Sequence, residues 1–193
     1  MGFDLYSQML AEEIRKRKVT VLGEEDTSLK EGNTVIDLSI DAYLPSEYIY
    51  DSIQKIEIYK KVAAVTSFDD ASELEDELLD RFGELPEAVV NLLSVARLKV
   101  YGKMYGIDSM IRRGDDVTLN FYEGSLGALD TAKLAKVGNS FERRVQFDRD
   151  AKASIRVKSK DLSDKQLLDL LEQFLKEAKQ SFKSKGELHN VVK

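Results

Sequence analysis

Hydrophobic and polar positions along the chain first predict a buried helix near its middle. Between about 86 and 105, apolar residues occur on nearly every side of a helical projection, which leaves no continuous polar face. Pro86 suits a first helical turn, where no N–H donor is needed. We therefore expect helix 86–105 to be the core of the fold. Its apolar residues are Val89, Leu92, Leu93, Ala96 and Val100 on one side and Val95 and Leu98 on another.

The preceding helix, about 69–82, has two unlike sides. Its apolar side carries Ala71, Leu74, Leu78 and Phe82, and its opposite side carries the acidic stripe of Glu73, Asp76, Glu77 and Asp80. Like charges at these spacings cost about 0.2–0.5 kcal/mol per pair, so the stripe calls for solvent or a basic partner. Solvent is the simpler interpretation. Gly83 then marks the helix end, because its backbone can turn left-handed there.

The first third of the chain combines predicted helices with a segment that lacks periodicity. Residues 2–18 repeat apolar side chains at helical spacing, whereas residues 22–33 are polar and irregular, as in a flexible linker. An extended segment follows at 35–40. Asp51 can cap a helix of about 52–65, and apolar residues on two of its sides predict that it is sandwiched. These residues are Ile53, Ile56, Tyr59 and Ala63 on one side and Ile58, Val62 and Val65 on the other.

After Gly106 the apolar period changes from helical to alternating, which indicates strands. The predicted elements are strands 107–112 and 117–122, a helix 126–137 ending at Gly138, strands 141–147 and 153–158, and a last helix opened by the capping box Ser163–Gln166. The fold class predicted is α+β: a helical N-terminal half with one short strand, packed on an antiparallel sheet in ββαββα order.

Composition narrows the possible functions. Hydrophobic residues make up 42% and charged residues 33% of the 193 residues, and no apolar run approaches the length of a membrane span. The chain has no cysteine, and its one histidine, His189, lies near the end, so neither a zinc site nor a histidine-based triad can be assembled. Phosphate-binding glycine loops are also absent from the sequence. We therefore expect no cofactor, no membrane contact and no catalysis by this chain, with the cytoplasm as the default compartment.

The net charge of −6 is unevenly distributed. Residues 66–90 contain nine acidic residues and one basic residue, whereas residues 141–160 contain seven basic and three acidic ones. Outward positions in the basic segment predict a possible basic patch of Arg144, Arg156 and Lys158. Phe141 and Phe147 point inward by strand parity, so no aromatic side chain is placed to stack on bases, and a solvated sheet face is favoured over a nucleic-acid site.

Two strings carry a family resemblance. They are Asp-Ala-Tyr-Leu-Pro-Ser-Glu-Tyr-Ile at 41–49 and Glu-Leu-Leu-Asp-Arg-Phe-Gly-Glu-Leu-Pro at 77–86. Both resemble the C-terminal (TRCF) domain of the bacterial transcription-repair coupling factors, the Mfd family, in motif detail to about residue 110 and in element order beyond. The resemblance implies a leading helix 1–21 that follows a translocase motor, a linker 22–33, a regulatory domain 34–185 and a tail 186–193. Within that domain, 34–105 would be mainly helical and 106–185 sheet plus helices.

The resemblance also implies a function. The full-length protein would be an ATP-dependent DNA translocase that displaces stalled RNA polymerase and recruits nucleotide excision repair. Its C-terminal domain would dock on the UvrB-like N-terminal module of the same protein and mask the surface that binds UvrA. Glu77 and Asp80 would meet arginines of that module, and Arg81 would support the helix end or pair with Glu77. Two alternatives stay open: a stand-alone adaptor that uses the acidic helix, and a nucleic-acid-binding module that uses the basic sheet face.

Overall fold

The computed structural model describes residues 34–122, 125, 130–141, 144–148 and 154–181. The chain divides into two units, Met1–Glu31 and Gly32–Lys193, and every described residue belongs to the second. The predicted leading helix, linker and tail therefore lie outside the described residues.

The described elements follow the predicted order of helices and strands. In chain order they are β1 (Val35–Asp37), α1 (Ser52–Ala64), α2 (Phe68–Phe82), α3 (Glu87–Tyr105), β2 (Ile107–Arg113), β3 (Asp116–Phe121), α4 (Thr131–Ser140), β4 (Val145–Asp148), β5 (Ser154–Lys158) and α5 (Asp164–Glu177), which runs into a 3₁₀ turn at Ala178–Ser181. Both caps predicted from the sequence are present. The Asp51 side chain accepts hydrogen bonds from backbone N–H groups at the start of α1, and Ser163 and Gln166 form a reciprocal capping box on α5.

The strands form one five-stranded sheet in the order β1-β2-β3-β5-β4. Strands β2, β3, β5 and β4 pair antiparallel, as predicted, and Gly114 makes the tight β2–β3 turn with a φ of 60°. The short N-terminal strand also joins the sheet: β1 runs parallel to β2, with Val35 opposite Ser109. The α+β class is therefore confirmed, with a mixed sheet in which β1 extends the predicted antiparallel part.

Two boundaries in the second half differ from the sequence prediction. Helix α4 begins after the cap Asp130 and continues through Gly138 to Ser140, so Gly138 does not end it. The glycine is tolerated there because α4 packs closely on β4, and a Cβ at Gly138 would lie 3.3 Å from the ring of Phe147. Phe141 belongs to the end of α4 rather than to a strand, and its ring still points inward, edge-on to Phe174 at 5.7 Å.

Helix α3 is buried along most of its length, which confirms the prediction that it forms the core. Its first half contributes Leu93 to a helical core, and its second half contributes Leu98 to a sheet core. Arg97 joins the surrounding helices, because its guanidinium contacts Glu75 of α2 at 3.3 Å and Glu172 of α5 at 3.1 Å. The helical core consists of Leu44, Ile49, Ile58, Leu74, Leu78, Val89, Leu92 and Leu93.

Helix α1 is not sandwiched, contrary to the prediction from its two apolar sides. Ile58 is buried against the helical core, but Ile53 and Ile56 on the other side are 75% and 43% exposed. Periodicity identified the apolar positions correctly. The number of neighbours that cover them depends on tertiary packing, and α1 lies at the edge of the helical layer.

A close contact holds β1 against the central helix. The Thr34 hydroxyl donates to the Ile107 carbonyl at 2.9 Å, and its side chain lies directly over Gly102 of α3. A Cβ at Gly102 would come within 2.7 Å of Thr34 Cβ and Cγ2. Only glycine therefore allows this approach.

Gly102→Ala is expected to destabilise the domain by about 1–3 kcal/mol, because the clash with Thr34 exceeds the gain in helix propensity. The matched control is Gly138→Ala in α4, where the nearest contacts of a new Cβ are 3.3–3.5 Å and a change within about 1 kcal/mol is expected. Urea melts measure both. Equal effects of the two substitutions would contradict the proposed contact.

Burial raises the pKa of Tyr105 to about 12. Its hydroxyl donates to the Leu175 carbonyl at 2.9 Å and so ties α3 to α5. Above pH 10 the unfolded chain loses this phenol proton while the folded chain keeps it, so the stability present below pH 10 falls as the pH rises toward 12. We expect Tyr105→Phe to lower the free energy of unfolding by about 1 kcal/mol at pH 8 and to reduce the loss of stability at alkaline pH. Urea melts at pH 8 and pH 11 measure this, and an unchanged pH slope would contradict it.

Candidate docking surface

The acidic helix α2 is fixed at both ends. Ser67 accepts from the backbone N–H of Asp70, and the Asp70 carboxylate accepts in return from the backbone N–H of Ser67, which completes a capping box. At the other end Gly83 turns with a φ of 83°. The hydroxyl of Tyr48 lies 3.0 Å from the Leu78 carbonyl and 3.2 Å from the Gly83 carbonyl, so its single proton is shared between them and ties Tyr48 to the end of α2.

The two family strings meet in space around this helix end. Leu44 and Ile49 of the first string are 2% and 1% exposed and belong to the helical core. The Asn91 side chain donates to the Asp41 carbonyl at 2.9 Å, and the Tyr43 N–H donates to the Ala88 carbonyl. The first string thus contacts both α2 and α3 and helps to hold these helices together.

Three acids of the predicted stripe lie together on the outer side of α2. Glu73, Asp76 and Asp80 are exposed, and Ala71, Leu74 and Leu78 on the opposite side are buried. No basic side chain within the described ranges forms an ion pair with these three acids. Asp69 is also exposed and lies one turn before Glu73 on the same side of α2. It was not among the acids of the predicted stripe. We call Asp69, Glu73, Asp76 and Asp80 the free acidic row.

Glu77, the fourth acid of the stripe, is turned toward α1 and is already paired. Its two carboxylate oxygens each accept from Lys61 at 2.7 Å, and one also accepts from Arg81 at 2.5 Å. Glu57 lies 3.6 Å from Lys61 and 3.9 Å from Arg81, which completes a group of two acids and two bases. We call Glu57, Lys61, Glu77 and Arg81 the ion-pair cluster.

The cluster sets the protonation of its members. Hydrogen bonds from Lys61 and then Arg81 hold the pKa of Glu77 below its ordinary value, and the bond to Glu77 raises the pKa of Lys61. A general acid near neutral pH needs a raised carboxyl pKa, so Glu77 is suited to ion pairing and not to proton transfer. Arg81 pairs with Glu77, one of the two roles expected for it, and its guanidinium also lies 4.9 Å from the ring centre of Phe82.

The predicted basic patch is only partly assembled. Arg156 and Lys158 are exposed on β5, and Lys158 has Asp116 of β3 as its cross-strand neighbour. The guanidinium of Arg144 donates to the carbonyl of Lys160 at 3.2 Å, so it serves the turn before α5. The acidic cross-strand neighbour of Lys158 and the backbone contact of Arg144 both make this face less favourable for nucleic acid.

Two apolar side chains are exposed near the ion-pair cluster, and one of them, Ile53, was predicted to be covered. Tyr50 and Ile53 are 95% and 75% exposed, and Ile53 lies one turn before Glu57. Among the residues that the structure describes, no group of three carboxylate or histidine side chains could hold a metal ion. No described helix is long and apolar enough to cross a bilayer.

Comparisons with known proteins agree with the resemblance. A model of the TRCF domain family matches residues 38–131, a range that includes the whole of α2. The transcription-repair-coupling factor of Bacillus subtilis (strain 168) is 36% identical over 177 residues, which are 91% of this chain and 15% of that protein. That of Staphylococcus aureus (strain USA300) is 34% identical over 146 residues, which are 76% of this chain and 12% of that protein. The chain thus spans a small part of the length of these relatives.

A solved structure shows the same arrangement of elements. The crystal structure of the C-terminal domain of transcription-repair coupling factor is 27% identical to this chain, with a TM-score of 0.70. The match covers 81% of this chain and 98% of that chain. The described fold is therefore similar to that solved domain over nearly its whole extent.

Proposed function

Because this chain belongs to the transcription-repair coupling factors, as their C-terminal TRCF domain, we propose that it is a regulatory docking domain. It docks on the UvrB-like N-terminal module of the same protein and masks the surface that UvrA would bind. The docking face is the free acidic row of α2 together with Glu77, and the partner surface is basic. In this proposal residues 34–185 form the docking domain, residues 1–21 follow the translocase motor, residues 22–33 link the two, and residues 186–193 are a tail.

The free acidic row is the observation that carries the proposal. Glu73, Asp76 and Asp80 are exposed on one side of a helix whose other side is buried. Their mutual repulsion is unrelieved by any ion pair within the described part of the chain, so a basic partner would gain more from this face than from a balanced one. The helix itself is rigidly capped, which lowers the cost of ordering the acids on binding.

The proposal extends to the full-length protein through the family. There the domain would restrain an ATP-dependent DNA translocase that removes stalled RNA polymerase and recruits nucleotide excision repair. The motor and the polymerase contact would belong to other parts of that protein. UvrA, RNA polymerase and DNA would therefore be partners of the full-length protein and not of this domain directly.

A binding experiment tests the proposal. The purified chain is titrated in a calorimeter with the separate UvrB-like module of the full-length coupling factor, and in parallel with a short DNA duplex. Saturable, salt-dependent binding of the module with no binding of the duplex is expected. Binding of the duplex alone would favour the nucleic-acid module through Arg156 and Lys158. Binding of other basic proteins, but not of this module, would favour the stand-alone adaptor.

A further inference from the structure

We infer that Lys61 of α1 is an internal competitor of the docking partner: it occupies Glu77 before docking and so sets how tightly the acidic face binds a basic surface. The inference rests on the proposed function and assigns a regulatory role to a residue outside the acidic helix. It concerns the strength of docking and not its location.

The geometry divides the acidic face into an occupied part and an unoccupied part. Lys61 Nζ lies 2.7 Å from both carboxylate oxygens of Glu77, in the position that an arginine of a partner would need. Asp80, one turn further along α2, accepts no such contact from a described residue. A basic partner can therefore reach Asp80 directly but can reach Glu77 only by displacing or sharing the lysine.

Of the two cations on Glu77, Lys61 is the one that can be exchanged. Arg81 follows Glu77 by one turn on the same helix and also lies against Phe82, so its position is built into α2. Lys61 reaches across from the neighbouring helix, and its side chain is 42% exposed. An ammonium on a flexible stem lacks the rigid planar fork with which a guanidinium pairs with a carboxylate, so an incoming arginine can replace it.

Removing the competitor should strengthen docking. Lys61→Met keeps the length and apolar stem of the side chain but frees one oxygen of Glu77, while Arg81 still holds the other. We expect the module to bind about 1.5- to 5-fold more tightly, the range expected for one exposed ion pair. This gain in affinity should become smaller as the salt concentration is raised.

The matched control is Lys60→Met. Lys60 is exposed on the same helix and carries the same charge, but it forms no ion pair with Glu77. This variant measures the effect of one lost positive charge alone, and Lys61→Met should tighten binding more than Lys60→Met does. In a Glu77→Gln background the two lysine substitutions should have equal effects, because the carboxylate for which Lys61 competes is gone.

Titration of the six proteins (the parent, Glu77→Gln, and each lysine variant in both backgrounds) with the UvrB-like module decides between the outcomes. If the parent binds and Lys61→Met binds no more tightly than Lys60→Met, the inference is wrong and the proposed function stands. Tightening by Lys61→Met that persists in the Glu77→Gln background would also overturn it. If the parent does not bind the module at all, the proposed function itself fails, and the inference with it. Circular dichroism confirms that each variant is folded.

Discussion

Asp76→Lys combined with Asp80→Lys is expected to weaken docking on the UvrB-like module by roughly 30-fold or more. Both acids belong to the free acidic row, so in a complex they would face basic groups and be partly removed from water. Losing one partner of such a pair costs about 2–5 kcal/mol, and reversing its charge adds repulsion. The fold should be unaffected, because neither side chain touches the core. Calorimetry with the isolated module measures the loss.

The control for this experiment is Asp169→Lys together with Glu177→Lys on α5. These residues are exposed on a different helix, and the substitutions change the net charge of the chain by the same amount. The affinity for the module should change by less than about threefold, because only the long-range effect of charge is altered. In the full-length protein the α2 variant should retain more UvrA in a pull-down than the parent does. Equal weakening by both pairs would mean that net charge, and not this face, drives association.

Leu93→Ala is expected to lower the free energy of unfolding by about 2–5 kcal/mol. Leu93 is 1% exposed and lies where α3 meets α1 and α2, in the helical core. Truncation removes apolar contacts and leaves a cavity that capped, mutually fixed helices cannot easily close. Urea denaturation followed by circular dichroism measures the change.

Leu79→Ala is the matched control for Leu93→Ala. The chemical change is identical, but Leu79 is 42% exposed on the outer side of α2. The free energy of unfolding is expected to fall by less than about 1 kcal/mol for this variant. If the two substitutions cost the same, α3 is not the buried centre of this fold.

Features set by neighbouring residues could be predicted from the sequence. The caps at Asp51 and at Ser163–Gln166 form as expected, because each depends on hydrogen bonds within one turn. The end of α4 could not be predicted in this way. Gly138 usually signals a helix end, but close packing on Phe147 continues the helix past it. The exposure of Ile53 was missed for the same reason, because coverage depends on neighbours that periodicity does not reveal.

The acidic stripe shows the same limit at the candidate site. Helical spacing correctly placed Glu73, Asp76 and Asp80 on one outer side of α2. The pairing of Glu77 depends on Lys61, sixteen residues earlier in the chain, and on the side-by-side packing of α1 and α2. No local sequence pattern encodes a contact between side chains on two different helices. The role of these acids in docking stays a prediction until the module is titrated.

Helix α3 belongs to both the helical core and the sheet core, so neither can come apart without uncovering part of the same helix. Melting of the described domain should therefore be a single cooperative transition in spite of its two cores. The acidic helix packs on α3 in the helical core, so we expect local unfolding of α2 to cost nearly as much as global unfolding. If the domain docks as proposed, we therefore expect it to leave its partner as an intact, rigid body and not by unfolding of α2.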